Sequence, residues 1–133
     1  MNVRIGKVTN VYPSSGKVKV LYEDENNASL PLSMLTMNNE VSMPSVGDMV
    51  LTIHMDNGSS KGFVLGTYYG GSKQPSATGG YRKDLGGGAY VACVDGSYTL
   101  RADNINLVCN AGTINLGDLI TRLNAIEKKL EKL

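Results

Sequence analysis

The sequence predicts an all-β chain that ends in a single helix, and three features carry that prediction. Sixteen glycines accompany one Phe and no Trp, the composition of a turn-rich β protein with a light core. Short runs of alternating apolar residues, broken by turn residues, fill most of the chain. Near residue 116 the apolar period changes from two to the three-and-four spacing of a helix. A chain of 133 residues holds one ordinary domain plus an appendage, which leaves no room for a second, enzymatic domain.

The elements follow in order. Val3 to Tyr12 is rich in β-branched residues, Pro13-Ser14-Ser15-Gly16 is a turn, and Lys17 to Tyr22 sets Val18, Val20 and Tyr22 against Lys17 and Lys19. These two runs predict a hairpin. A polar loop from Glu23 to Ser29 leads into the mixed stretch Leu30 to Leu35. Met43-Pro44-Ser45-Val46-Gly47-Asp48 then punctuates before a strand from Met49 to Met55. Asp56-Asn57-Gly58-Ser59-Ser60 turns the chain into a last strand from Gly62 to Tyr69. This pattern over residues 1–69 suits a small Greek-key barrel of the OB type.

Residues 70–80 change to Gly, Ser, Pro and Thr without apolar periodicity, and read as a linker. Over 81–116 the alternating runs are narrow. Tyr98, Leu100 and Ala102 share one parity, Ile105, Leu107, Cys109 and Ala111 the other, and Ile114 and Leu116 restore the first. Each switch coincides with a turn signal, Asp103-Asn104 and then Gly112-Thr113, where an extra residue re-aims the strand. Such runs carry too few apolar side chains for a core within one chain. Three copies wound about an axis would enclose one, as a thin intertwined prism.

Residues 117–133 form the helix. Leu116, Leu119, Leu123, Ile126, Leu130 and Leu133 make an unbroken heptad stripe, with Asn115 as N-cap and Asp118 in the first turn where the helix dipole favours an anion. A helix this short is marginal alone, so its stripe needs a partner. Arg122 at a g position and Glu127 at the following e position form the interchain pair expected of parallel neighbours. Leu at a with Ile at d leans above two strands. The alternative is that the helix folds back on its own barrel, but a stripe so narrow, opposite so charged a face, describes a coiled-coil seam better.

Composition excludes several function classes. Thirteen basic and twelve acidic side chains leave a net charge of +1, too weak a field to gather nucleic acid or anionic lipid. No apolar run reaches the length of a signal peptide or a membrane span, which predicts folding in the cytoplasm without stable membrane insertion. Cys93 and Cys109 are then expected as small core residues rather than a bridge. His54 has no carboxylate or thiol at motif spacing and reads as a strand-surface or satisfied structural residue. Glu23, Asp24 and Glu25 read as a solvated turn, and Gly86-Gly87-Gly88 as a bend, since no phosphate-loop context follows. Neither a catalytic residue, a metal site nor a cofactor is expected.

Gly6-Lys7-Val8-Thr9-Asn10-Val11, the turn into Lys17-Val18-Lys19-Val20, Met43 to Leu51, and Gly62-Phe63-Val64-Leu65-Gly66-Thr67-Tyr68-Tyr69 resemble, in order, the OB domain of the phage baseplate assembly protein V family. Past the linker, Tyr81-Arg82-Lys83-Asp84-Leu85-Gly86-Gly87-Gly88-Ala89-Tyr90 is similar to that family's approach to its triple-stranded β-helix. The resemblance implies a homotrimeric spike at the distal end of a contractile phage tail or tail-like particle. Such a spike would be assembled in the host cytoplasm, held by baseplate hub proteins, and aimed at a cell envelope. Two departures qualify it. Related spikes often end in an apex His-x-His pair that binds a metal, whereas this chain has only His54, and its short β-run ends in a charged helix. A separate tip protein or the coiled coil itself would cap this end. The competing reading is an OB-fold binder of single-stranded nucleic acid. Tyr12, Tyr22, Phe63, Tyr68 and Tyr69 offer stacking rings, but no basic patch is interleaved with them.

Overall fold

The computed structural model describes residues 1–55, 61–70 and 73–133, so the turn expected at 56–60 lies outside the described residues. The chain divides into two compact units, Met1–Pro75 and Ser76–Leu133.

The first unit is a closed barrel. Its strands are β1 (Asn2–Tyr12), β2 (Lys17–Tyr22), a two-residue β3 (Asn27–Ala28), β4 (Leu32–Met34), β5 (Met49–His54) and β6 (Gly62–Thr67). The order β1-β5-β6-β4-β2 closes through a second pairing of β1 with β2, giving five strands around the wall. All pairings are antiparallel except β4 with β6. The β1–β2 hairpin expected from the sequence is present, with a bulge between Val8 and Asn10.

Closure needs close backbone approach at Gly6. A Cβ there would lie 2.2 Å from Cγ1 of Val20 and 2.9 Å from the carbonyl oxygen of Leu21. The turn at 43–48 works as its residues suggest. The Ser45 amide donates to the Asp48 carboxylate at 2.9 Å, Gly47 takes a φ of +96°, and Val8 exchanges backbone bonds with Gly47 and Asp48. Ser29 extends the β2 ladder, with its amide donating to the Val20 carbonyl and its hydroxyl accepting from the Val20 amide.

The core is small and made of small residues. Val8, Val18, Val20, Val50, Val64, Leu32 and Tyr22 are its buried hydrophobic members. A five-stranded barrel has a narrow interior, so valines fill it and only one large ring fits.

In the second unit β7 (Tyr81–Gly86), β8 (Ala89–Val94) and β9 (Ser97–Arg101) form an antiparallel meander, and β10 (Asn106–Cys109) with β11 (Gly112–Asn115) a hairpin. Gly86, Gly87 and Gly88 all take left-handed φ values at the β7–β8 turn. The corner at Asp103-Asn104 is a bend, but the next reversal falls at Asn110-Ala111 rather than Gly112-Thr113. Ala111, expected in a strand, therefore lies in the turn. The helix α1 (Leu116–Glu131) starts one residue before the expected Gly117 and ends two before the expected Leu133, with Lys132 as its C-cap. Its cap is the expected one, with Asn115 Oδ1 accepting the Asp118 amide at 3.0 Å.

Candidate functional site

Two groups of residues stand out, a buried polar cluster in the barrel and a run of uncovered apolar side chains in the second unit.

The cluster is built by strand alternation. Val50, Thr52 and His54 point inward from β5, which brings His54 to Tyr22 at the end of β2. His54 is thus buried, a correction to the strand-surface reading. Its Nε2 lies 2.6 Å from the Tyr22 hydroxyl, which is 3.0 Å from Oγ1 of Thr52, and that hydroxyl in turn reaches the Arg4 carbonyl at 3.4 Å. Nδ1 of His54 has no partner among the described residues. A proton on Nε2 makes the chain consistent, with His54 donating to Tyr22, Tyr22 to Thr52 and Thr52 to the Arg4 carbonyl. The orphan is then an acceptor, since a buried unpaired N–H is the rarer fault.

Arg4 covers this cluster. Its guanidinium sits 3.7 Å from the centroid of the Tyr22 ring and pairs with Glu25 at 3.1 Å and Asp24 at 3.4 Å, while Lys7 meets Glu23 at 3.4 Å. The acidic turn is thus exposed, as expected, and also anchors the end of the barrel. Burial pushes the Tyr22 phenol above its ordinary pKa, and burial with the nearby Arg4 charge holds the His54 imidazole below its own. His54 and Tyr22 are almost wholly buried, and the bonds of the cluster tie β2 to β5 and β1 inside the barrel.

The second group contains the residues expected to meet between chains. Leu100, Leu107 and Ile114 are about half exposed, Cys109 is exposed, and Ile105 and Leu116 are partly covered. Along α1, exposure grows from 37% at Leu119 to 61% at Leu130 and no residue of the helix is buried, while Leu133, past the helix end, is 99% exposed. Within the second unit its main neighbour is β11. A groove there is lined by Thr113, Ile114, Asn115, Asp118, Leu119 and Arg122. Arg122 and Glu127 form no ion pair within the described residues of the chain. Cys93 and Cys109 are free and exposed in the single chain, so neither lies in a core that one chain builds by itself.

The Tyr22–His54–Arg4 cluster was missed at the level of sequence. Strand parity from Val50 would have placed His54 inside, but β5 is apolar on both faces, so its inward face could not be chosen from pattern alone. Among the described residues no group of three His, Cys, Asp or Glu side chains could hold a metal, and no helix is long and apolar enough to cross a membrane. No protein-family model matches the chain, and no curated protein matches it.

Proposed function

We propose that the chain is a non-catalytic structural protein, one subunit of a homotrimeric baseplate spike in a contractile phage tail or tail-like particle, helping to pierce a target cell envelope. The observation that carries this reading is α1, an unbroken apolar heptad stripe with no buried residue. Five apolar side chains at coiled-coil spacing are not left in water by a stable helix, and parallel copies cover them best. The half-exposed Leu100, Leu107 and Ile114 add a second apolar surface in the same unit, which a short intertwined β-helix of three chains would enclose.

The barrel supports the same reading. Its order, with only the β4–β6 pairing parallel, is that expected of an OB-type barrel, the fold of the spike collar in the family the sequence resembles. In this reading the collar is held by hub proteins, and the coiled coil or a separate tip protein closes the far end.

Sedimentation equilibrium of the full chain tests the proposal. Three chains per particle are expected at micromolar concentration, and a monomer would refute it.

A further inference from the structure

One large apolar side chain of α1 lies off its stripe. In the heptad that sets Leu116, Leu123 and Leu130 at a, Ile120 falls at e, and its own chain leaves it 50% exposed. On the same turns of the helix, α1 and β11 form a groove. Four of its lining residues, Asn115, Asp118, Leu119 and Arg122, stand at i, i+3, i+4 and i+7. Residues three and four apart are neighbours on a helix surface, so these four bound a diamond. Four residues of one helix around a gap are what receives a knob from a facing helix in a coiled coil. Ile114 of β11 adds an apolar wall, and both it and Leu119 are uncovered in the single chain.

Charge and register narrow the occupant. The groove has one acid, Asp118, and one base, Arg122, so an anion would meet the carboxylate and a cation the guanidinium. Between them Ile114 and Leu119 suit an uncharged aliphatic side chain. Register says which one. Glu127 at e stands five residues after Arg122 at g, the relation that brings g and e together between parallel neighbours. Ile120 at e stands five residues after Asn115, the g position one heptad earlier. The neighbour that carries Glu127 to Arg122 therefore also carries Ile120 alongside Asn115, into the gap between the two g residues that end the groove. One parallel copy at one register meets both requirements.

We infer that the groove between β11 and α1 receives Ile120 of the neighbouring chain, so that each helix is keyed to the β10–β11 hairpin of the next subunit. This rests on the homotrimer reading, and the two are separable by experiment. Sedimentation of the full chain first gives the assembly state. Trimers refolded from a mixture of methyl-labelled and unlabelled chains then give isotope-filtered nuclear Overhauser spectra, which report contacts between chains alone. An interchain contact from the Ile120 methyls to those of Ile114 is expected. Ile120→Ala keeps a good helix former at the position, yet should raise the concentration at which the trimer half-dissociates by roughly tenfold or more. A trimer whose Ile120 methyls meet only heptad side chains, or only their own hairpin, overturns the inference and leaves the homotrimer standing. A trimer that Ile120→Ala does not weaken does the same. A parent chain that sediments as a monomer removes the homotrimer and the keyed groove together.

Discussion

His54 is held neutral by its surroundings, which makes it a source of acid sensitivity. Burial and the Arg4 charge lower its pKa in the fold, so the unfolded chain takes up a proton first as pH falls. The stabilisation is complete above the ordinary value of about 6.5 and is lost as pH drops through the lowered value. The melting midpoint should therefore fall between neutral pH and the onset of carboxylate titration. His54→Gln, though less stable overall, should show a flat profile there; equal slopes in the two proteins would refute this. Tyr22→Phe strips the hydroxyl that joins His54 to Thr52 and should destabilise the barrel by about 1–3 kcal/mol in chemical denaturation. At Gly6, alanine would drive a methyl into Val20 and the Leu21 carbonyl. Overpacking of this kind costs about 1–3 kcal/mol, so Gly6→Ala should lower the denaturation midpoint, and an unchanged midpoint would show that the hairpin can open to admit it.

Within α1, two kinds of contact have separable effects. Asn115 caps the helix through Asp118 and ties it to the hairpin through Asn106, at 3.0 and 2.9 Å. Asn115→Ala should cost about 1 kcal/mol or somewhat more, seen as loss of helical circular dichroism at lower temperature. Leu123→Asp with Ile126→Asp leaves the cap untouched and puts charges in adjacent layers of the proposed coiled coil. Because neither side chain is buried in the single chain, the pair should hardly alter a monomer but should dissociate a trimer. Sedimentation of the variant beside the parent distinguishes these cases. An unchanged trimer would shift the weight of assembly to the β-strands.

At the scale of the molecule, the near-zero net charge sets what the protein can attract. Few phosphates could be neutralised by a chain of net charge +1, so single-stranded DNA should bind weakly and without sequence preference even at low salt. Titration of a labelled oligonucleotide at two salt concentrations checks this. Tight, salt-sensitive binding that persists in the Leu123→Asp, Ile126→Asp variant would favour a nucleic-acid role for the barrel. Treatment with a chelator should leave the melting temperature unchanged, since the chain's single histidine already pairs with Tyr22. A clear drop would point to a bound metal.

Local chemistry alone was enough for part of this description. Turn residues marked most of the strand boundaries in the barrel, Val18, Val20 and Tyr22 declared the inward face of β2, and Asn115 with the heptad located α1 to within two residues at either end. Each of these depends on neighbours close in sequence, where period and capping are decided by a few adjacent side chains. The inward faces of β1 and β5 depended on the closed barrel. By hydropathy Ile5, Leu51 and Ile53 belong inside, yet the narrow interior admits Gly6, Val8, Val50 and Thr52, and puts the bulkier residues on the outer wall. The same closure set His54 against Tyr22, two residues 32 positions apart whose meeting no local pattern encodes. Volume inside a closed sheet is a property of all five strands together, and it outweighed the preference of any one of them for burying its larger side chains.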